Sequence, residues 1–454
     1  MDRYRYIISL LLCTVLVFSS CNSDDDDGYV YSNNCYISSM VLGQMRRIVT
    51  TTTASGNDTT YTVSFSGSYY PLAINPVRQT ITSSVPLPVG TRVDAVLVTA
   101  SFDGVLAYAP AADTTEWKAY SSTDSIDFSS PVIFRVIAAD GSGYRDYTAT
   151  LTVLESDPTD YTWQQMPDAA TLEGRSDIRL KVFKENIVAM SKDNAGQYYF
   201  TTKGDDDAWT EKLASLPGNV LLSSLQAYDG MLWLSTGDGD MLRSTDGINW
   251  STVTVSPQRA YSLIAASDSA IYACELSADG ETYAGVYCSV DGITWAKEDV
   301  EGDNMASFPT RYIASVAYRQ ANGTSRILVA GQTADKIASA VWSLRQGSNE
   351  PWTLLSFTGD NNYTLVPRQC LNIVAYNNQL IAIGGEAADD SGYAALDSIY
   401  ISYDNGITWL ASDKLTAPEV LQGTTESLAA ISFDNYIWLV AGDKVWRVQL
   451  NALK

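Results

Sequence analysis

The chain holds 454 residues, 46% hydrophobic and 18% charged, which is ordinary globular composition and excludes a mainly disordered chain. It carries 52 acidic against 29 basic residues, and a formal charge of -23 argues against nucleic acid as a partner. The absence of histidine removes Ser-His-Asp and Cys-His nucleophile systems and every histidine-bound zinc site.

In chain order, Arg3 and Arg5 precede an apolar run over residues 7–18, of signal-peptide length and too short to read first as a membrane span. Ser19 and Ser20 lead into Cys21, and Asp24 to Asp27 form an acidic run behind it. An ordinary signal peptide with a chance cysteine and a solvated acidic linker would also read this way. The combination resembles a lipobox followed by the surface-export signal of Bacteroidota-type lipoproteins. That resemblance implies a lipoprotein signal peptide over 1–20, lipid on Cys21, an acidic tether over 21–35, and lipid-anchored residence in the outer membrane with exposure at the cell surface. Four further cysteines lie beyond the tether's start, Cys35, Cys274, Cys288 and Cys370. Cys274 and Cys288 sit on two strands of one apparent hairpin, so they are the pair to consider for a disulfide, with free thiols as the alternative.

Residues 36–154 are rich in Thr, Val, Tyr and Ser, with period-two alternation over 59–65 and in parts of 93–99 and 132–138. Asp140-Gly141 supplies the positive φ of a tight turn between strands near 134–139 and 144–153. Several short strands in this span predict an Ig-like or cadherin-like β-sandwich. The closing hairpin resembles those of sandwich modules appended to bacterial surface lipoproteins, which implies a spacer. Residues 155–160 read as a linker.

From Tyr161 onward the chain repeats. Trp163, Trp209, Trp250, Trp295, Trp352 and Trp409 end similar segments spaced roughly 40–60 residues apart, the length of a four-stranded propeller blade with loop insertions. Segments 427–433, 436–441 and 444–450 give three strands and then stop. Residues 161–166 look like a lone fourth strand, and pairing it with 444–450 would bury two open edges. The expectation is all-β: an Ig-like β-sandwich over 36–154, followed by a six-bladed β-propeller over 161–454 closed by strand 161–166.

The repeat motif has a local physical logic. Ser402-Tyr-Asp-Asn-Gly-Ile-Thr-Trp409 matches Ser-x-Asp-x-Gly-x-Thr-Trp, and the segments at 244–250 and 289–295 are one residue shorter. Asp accepts bonds from turn amides, Gly takes the positive φ, and Trp wedges between blades. This pattern is similar to the Asp-box of sialidases, and Ile383-Gly-Gly385 with Trp409 is kelch-like. Both resemblances imply the fold rather than an activity. Sialidase-like chemistry would need three arginines on a substrate carboxylate, and no Phe-Arg-Ile-Pro-like segment introduces the first. No phosphate loop or convincingly spaced carboxylate pair stands out, and Asp238-Gly-Asp240 is explained by a hairpin turn more simply than by calcium. No cofactor and no metal are expected.

Counting back from the last large residue of each first strand, Arg175, Arg259 and Arg368 lie eight residues earlier and Arg311 seven. One reading is that these arginines flank strands, snorkel and pair with the abundant carboxylates. The other is a cationic crown at the mouth of the central channel, holding a carboxylate or sulfate, with Tyr261 or Tyr312 stacking on a sugar. Kelch-like propellers bind acidic ligands at that mouth, which the resemblance carries over as an expectation.

The functional expectation is a non-enzymatic surface module that binds or docks a glycan or protein ligand, anionic under the crown reading, with the membrane met only through the lipid anchor. The alternatives are a carbohydrate-active enzyme, sialidase-like or lyase-like, using carboxylates such as Glu173 or Glu426, and a docking disc in an envelope complex. The whole chain resembles two-domain surface lipoproteins of gut-type Bacteroidota.

Overall fold

The computed structural model describes residues 31–52, 58–278, 282–303, 305–336, 338–386 and 394–453. The signal segment and Cys21 lie outside the described residues. Two compact units divide the chain, Met1–Asp157 and Pro158–Lys454. Among the described residues all regular structure is β-strand and short 3-10 turns, and no helix is long and apolar enough to cross a membrane.

In the N-terminal unit a three-stranded sheet runs in the order Tyr36–Leu42, Val96–Asp103, Ser125–Ile126. A six-stranded sheet runs Leu72–Asn75, Thr80–Ser83, Tyr144–Thr150, Val132–Ile137, Val105–Pro110, Lys118–Ala119. Its neighbours are antiparallel except Thr80–Ser83, which runs parallel to Tyr144–Thr150. Alternation decides the faces: Val132, Phe134 and Val136 point into one core with Tyr147, Leu42 and Val98, so both sheets bury apolar surface together. The hairpin places Phe134 opposite Tyr147 and turns at Gly141, whose φ is 74°. A separate hairpin pairs Gln44–Thr52 with Asp58–Ser66.

The C-terminal unit is a β-propeller built from six four-stranded antiparallel sheets. Their first strands are Ser176–Phe183, Val220–Tyr228, Tyr261–Ala266, Arg311–Arg319, Arg368–Tyr376 and Leu428–Phe433. Each first strand lies against the next, and the sixth lies against the first, so these strands form a closed ring around an axis. The sixth sheet takes its outer strand from the other end of the unit. Tyr161–Gln165 pairs antiparallel with Lys444–Leu450, Trp163 opposite Val448 and Gln165 opposite Trp446.

Three turns show how a local motif holds neighbouring sheets together. Asp246 Oδ1 accepts from the amides of Ile248 and Asn249 at 2.9 and 2.8 Å, and Trp250 Nε1 donates to Gly247 O at 2.9 Å. In the third sheet the amides of Thr294 and Ile293 hold the Asp291 carboxyl down to about 2. The glycines have a second duty besides their positive φ of 75°, 70° and 100°. A Cβ on Gly247, Gly292 or Gly406 would run into Phe200, Trp233 or Leu328 of the preceding sheet. Trp409 packs with Leu328 and Val341 of that same preceding sheet, and truncating a tryptophan buried in this way costs about 3–5 kcal/mol.

Candidate functional site

The bore of the ring is lined by residues of all six first strands. It has a wider chamber of about 430 Å³, where Lys181, Gln226, Ser315 and Asp268 meet, and a narrower one of about 70 Å³, which adds Arg179 and Asn372. Among the described residues Asp268 is the one carboxylate lining either chamber, in a chain with 52 acidic residues.

Arg179 and Lys181 sit two apart on Ser176–Phe183, so strand geometry puts both on one face. Lys181 Nζ donates to Gln226 Oε1 at 3.0 Å, across to the second sheet. Enclosure in the bore, with Arg179 beside it, pushes the Lys181 ammonium down to about 8. Among the described residues the Arg179 guanidinium makes no ion pair or hydrogen bond, and its Nε is buried without a partner. Asn372 is committed differently. Its amide donates to Cys370 O and Leu428 O and accepts from the Ala430 amide, tying the fifth sheet to the sixth.

The four arginines singled out by sequence spacing do not line this bore. Arg175 reaches outward across its own sheet, 2.7 Å from Glu211, 3.7 Å from Asp193 and 3.6 Å from the centre of the Tyr199 ring. Arg259 pairs with Glu275 and lies 5.7 Å from the Tyr287 ring. Arg368 has a fully buried side chain, clamped by both oxygens of Asp397, by Gly384 O at 2.8 Å, and over the Tyr400 ring at 4.3 Å. The Arg311 guanidinium lies 5.3 Å from the ring of Tyr312. Tyr261 is wholly buried, stacked on Trp295 at 5.2 Å and edge-on to Tyr287, so it is unavailable to a ligand. For Arg175, Arg259 and Arg368 the structure therefore replaces the crown with carboxylate pairing inside single sheets.

A repeated bulge explains the miscount. Register shifts fall between Ser176 and Arg179, Arg311 and Ala314, and Gln369 and Asn372. Asp177, Tyr312 and Cys370 carry positive φ of 49°, 49° and 48° at these points. An inserted residue breaks the two-residue alternation, so positions counted back through it land on the wrong face. Residues on the far side of the bulge, Arg179 and Asn372, are the ones that meet the bore. A signal was present in the sequence: Arg179 and Lys181 are charged where the corresponding residues are Ala314 and Val316 in the fourth sheet and Asn372 and Val374 in the fifth.

The described cysteines are free thiols. Cys274 lies opposite Val286 and Cys288 opposite Tyr272, so the two are not cross-strand partners. Burial pushes the Cys288 thiol up to about 12. No group of three or more acidic or cysteine side chains suited to a metal occurs among the described residues.

The sequence matches the DUF6242 beta propeller domain over residues 157–454 and the DUF6242 N-terminal domain, a domain of unknown function, over 39–151. The chain belongs to the DUF6242 family. No curated protein matches it. Among solved structures it is similar to an α-L-arabinanase of Penicillium chrysogenum complexed with arabinobiose, at 12% identity over 64% of this chain and 98% of that one, TM-score 0.39. YCF48 from Cyanidioschyzon merolae matches at 15% identity over 63% and 98%, TM-score 0.34. BamB from Moraxella catarrhalis matches at 10% identity over 91% of each chain, TM-score 0.30. Likeness at this level carries no activity across to this chain.

Proposed function

We propose that the protein is a non-enzymatic binding module of the cell surface whose propeller bore receives an anionic group. In this reading Cys21 carries the lipid that holds the chain in the outer membrane, and an Ig-like sandwich serves as the spacer. The six sheets act as the blades of one six-bladed disc, and the ligand is a carboxylate or sulfate borne by a glycan or a protein. The observation that carries the reading is the pair Arg179 and Lys181. Two cations face a bore with a single carboxylate, and one of them has no protein partner. Burying a cation without a counter-charge is costly, and a bound anion would relieve that cost with charge-assisted hydrogen bonds.

The test is calorimetric titration of the full-length protein with polygalacturonate fragments, chondroitin sulfate fragments and an acidic peptide. Saturable binding is expected with at least one of them. It should weaken about tenfold in Arg179→Ala, remain unchanged in Arg175→Ala, and decline as pH rises through about 8, where Lys181 loses its charge. Absence of binding to all three probes overturns the reading, and so does turnover of a fluorogenic glycoside panel. For the anchor, Cys21→Ala is expected to release the protein from membranes on fractionation.

A further inference from the structure

A second cavity, of about 540 Å³, opens between the fourth and fifth sheets. It adjoins the wider chamber through Ala317 and Ala375 but includes neither of the bore's cations. Its walls come from the turn after Arg311–Arg319, the Asn377-Asn378 turn, and the Ser-x-Asp turn of the fifth sheet. The volume lies within the roughly 300–1,000 Å³ of small-molecule sites.

The chemistry of these walls is distinctive for so acidic a chain. Among the described residues no Asp or Glu lines the cavity, whereas carboxamides converge on it from Gln320, Asn322, Asn377 and Asn378. Asn377 and Asn378 both have positive φ, 47° and 59°, which fixes the tight turn that presents them. Among the described residues neither of their side-chain amides has a hydrogen-bond partner. Tyr318 lines the same cavity with its ring, while its hydroxyl is buried away from solvent. Tyr403 is 64% exposed and lies on the wall as an open ring. Arg319 lines the cavity as well, and its Nε donates to Gly323 O at 3.2 Å.

Apart from Arg319, the wall is uncharged and suits a polyhydroxylated ligand. A sugar hydroxyl both donates and accepts, as a carboxamide does, so amides satisfy it without burying a charge. The C–H face of a pyranose ring is apolar and covers an exposed tyrosine. The fifth sheet is also where the Ser-x-Asp turn has its extra residue, Asn405, which joins the wall. The positions matching Tyr403 are Thr245 and Val290 in the other two such turns, so the aromatic platform belongs to this interblade site alone among the three.

We infer that the cavity between the fourth and fifth sheets is a binding site for a neutral pyranose unit of a glycan, with Tyr403 as its stacking platform and Asn377 and Asn378 as its hydrogen-bonding wall. The site is independent of the anionic reading of the bore.

The experiment titrates the full-length protein with neutral tetrasaccharides of β-glucan, α-mannan, xylan and β-galactan, followed by calorimetry and by saturation-transfer NMR. At least one is expected to bind saturably, with an affinity unchanged between low and high NaCl. Tyr403→Ala should weaken binding about tenfold and Tyr403→Phe should keep it, since the ring is what matters. Asn377→Asp with Asn378→Asp, which removes the amide donors, should weaken it severalfold. Arg179→Ala should leave it unchanged, which separates this site from the bore. No binding by any tetrasaccharide, or equal binding by wild type and Tyr403→Ala, overturns the inference. Tyr403 is largely exposed, so its substitution tests recognition without threatening the fold.

Discussion

Lys181 shows how one side chain can set both stability and recognition. Its folded-state value of about 8 lies below its ordinary 10.5, so between those values the unfolded chain binds the proton more tightly. The cost of the enclosed charge is therefore full below pH 8, fades as pH rises, and is gone above 10.5. Stability should climb across that window by about 3 kcal/mol or less. Lys181→Met is expected to raise stability at pH 7 by a similar amount and to flatten the slope between pH 8 and 10.5, read from urea unfolding at a series of pH values. It should also lose the pH dependence of anion binding. Arg368 makes the opposite use of a buried cation: Asp397 and Gly384 O engage both of its terminal nitrogens, so its charge is already paired although Nε is buried without a partner.

At the scale of the element, the turn between the first and second strands recurs with one backbone and several sequences. Asp229-Gly230, Asn377-Asn378, Asp434-Asn435 and Lys184-Glu185 all place both residues at positive φ. The first three use residues that tolerate the left-handed region, and two of them could be picked out by residue type at the sequence level. Lys184 and Glu185 could not, because their side chains disfavour it. Replacing Lys184-Glu185 by Asn-Gly is expected to stabilise the protein by about 1 kcal/mol in thermal unfolding, allowing for the lost Lys184 Nζ bond to Thr245 O. The same contrast governs what the sequence revealed more widely. The β-propeller was legible because Trp recurs at blade spacing, joined by Asp and Gly in the three turns that close on the preceding sheet. The bore was not, because one bulge residue in the first strand moves the side chains beyond it to the other face. Asp177, Tyr312 and Cys370, which occupy that position, share no residue type that would announce it. Counting back from Phe183 or Tyr376 thus selected Arg175 and Arg368, while Arg179 went unnoticed.

At the scale of the whole molecule, the ring depends on a strand borrowed from the start of the unit. Tyr161–Gln165 contributes a five-residue ladder to Lys444–Leu450, and the Met166 and Ala169 amides extend the contact to Val445 O and Asp443 O. Side chains reach further than the ladder. Trp163 Nε1 donates to Thr416 O at 2.8 Å and the Tyr161 hydroxyl to Gln379 Oε1 at 3.2 Å, so the strand joins the fifth sheet to the sixth. A chain beginning at residue 167 would lose all of these bonds except that of the Ala169 amide, at about 1 kcal/mol each, and would leave Lys444–Leu450 as an open edge. A chain beginning at residue 158 keeps them. The shorter chain is expected to unfold at markedly lower urea and to self-associate in light scattering. The longer chain should unfold in one cooperative step. A peptide spanning residues 158–169, added in trans, should restore part of the lost stability in a concentration-dependent way, because it binds the folded state alone. Equal urea midpoints for the two chains would mean that the borrowed strand is ornamental and that the ring holds through its six first strands without it.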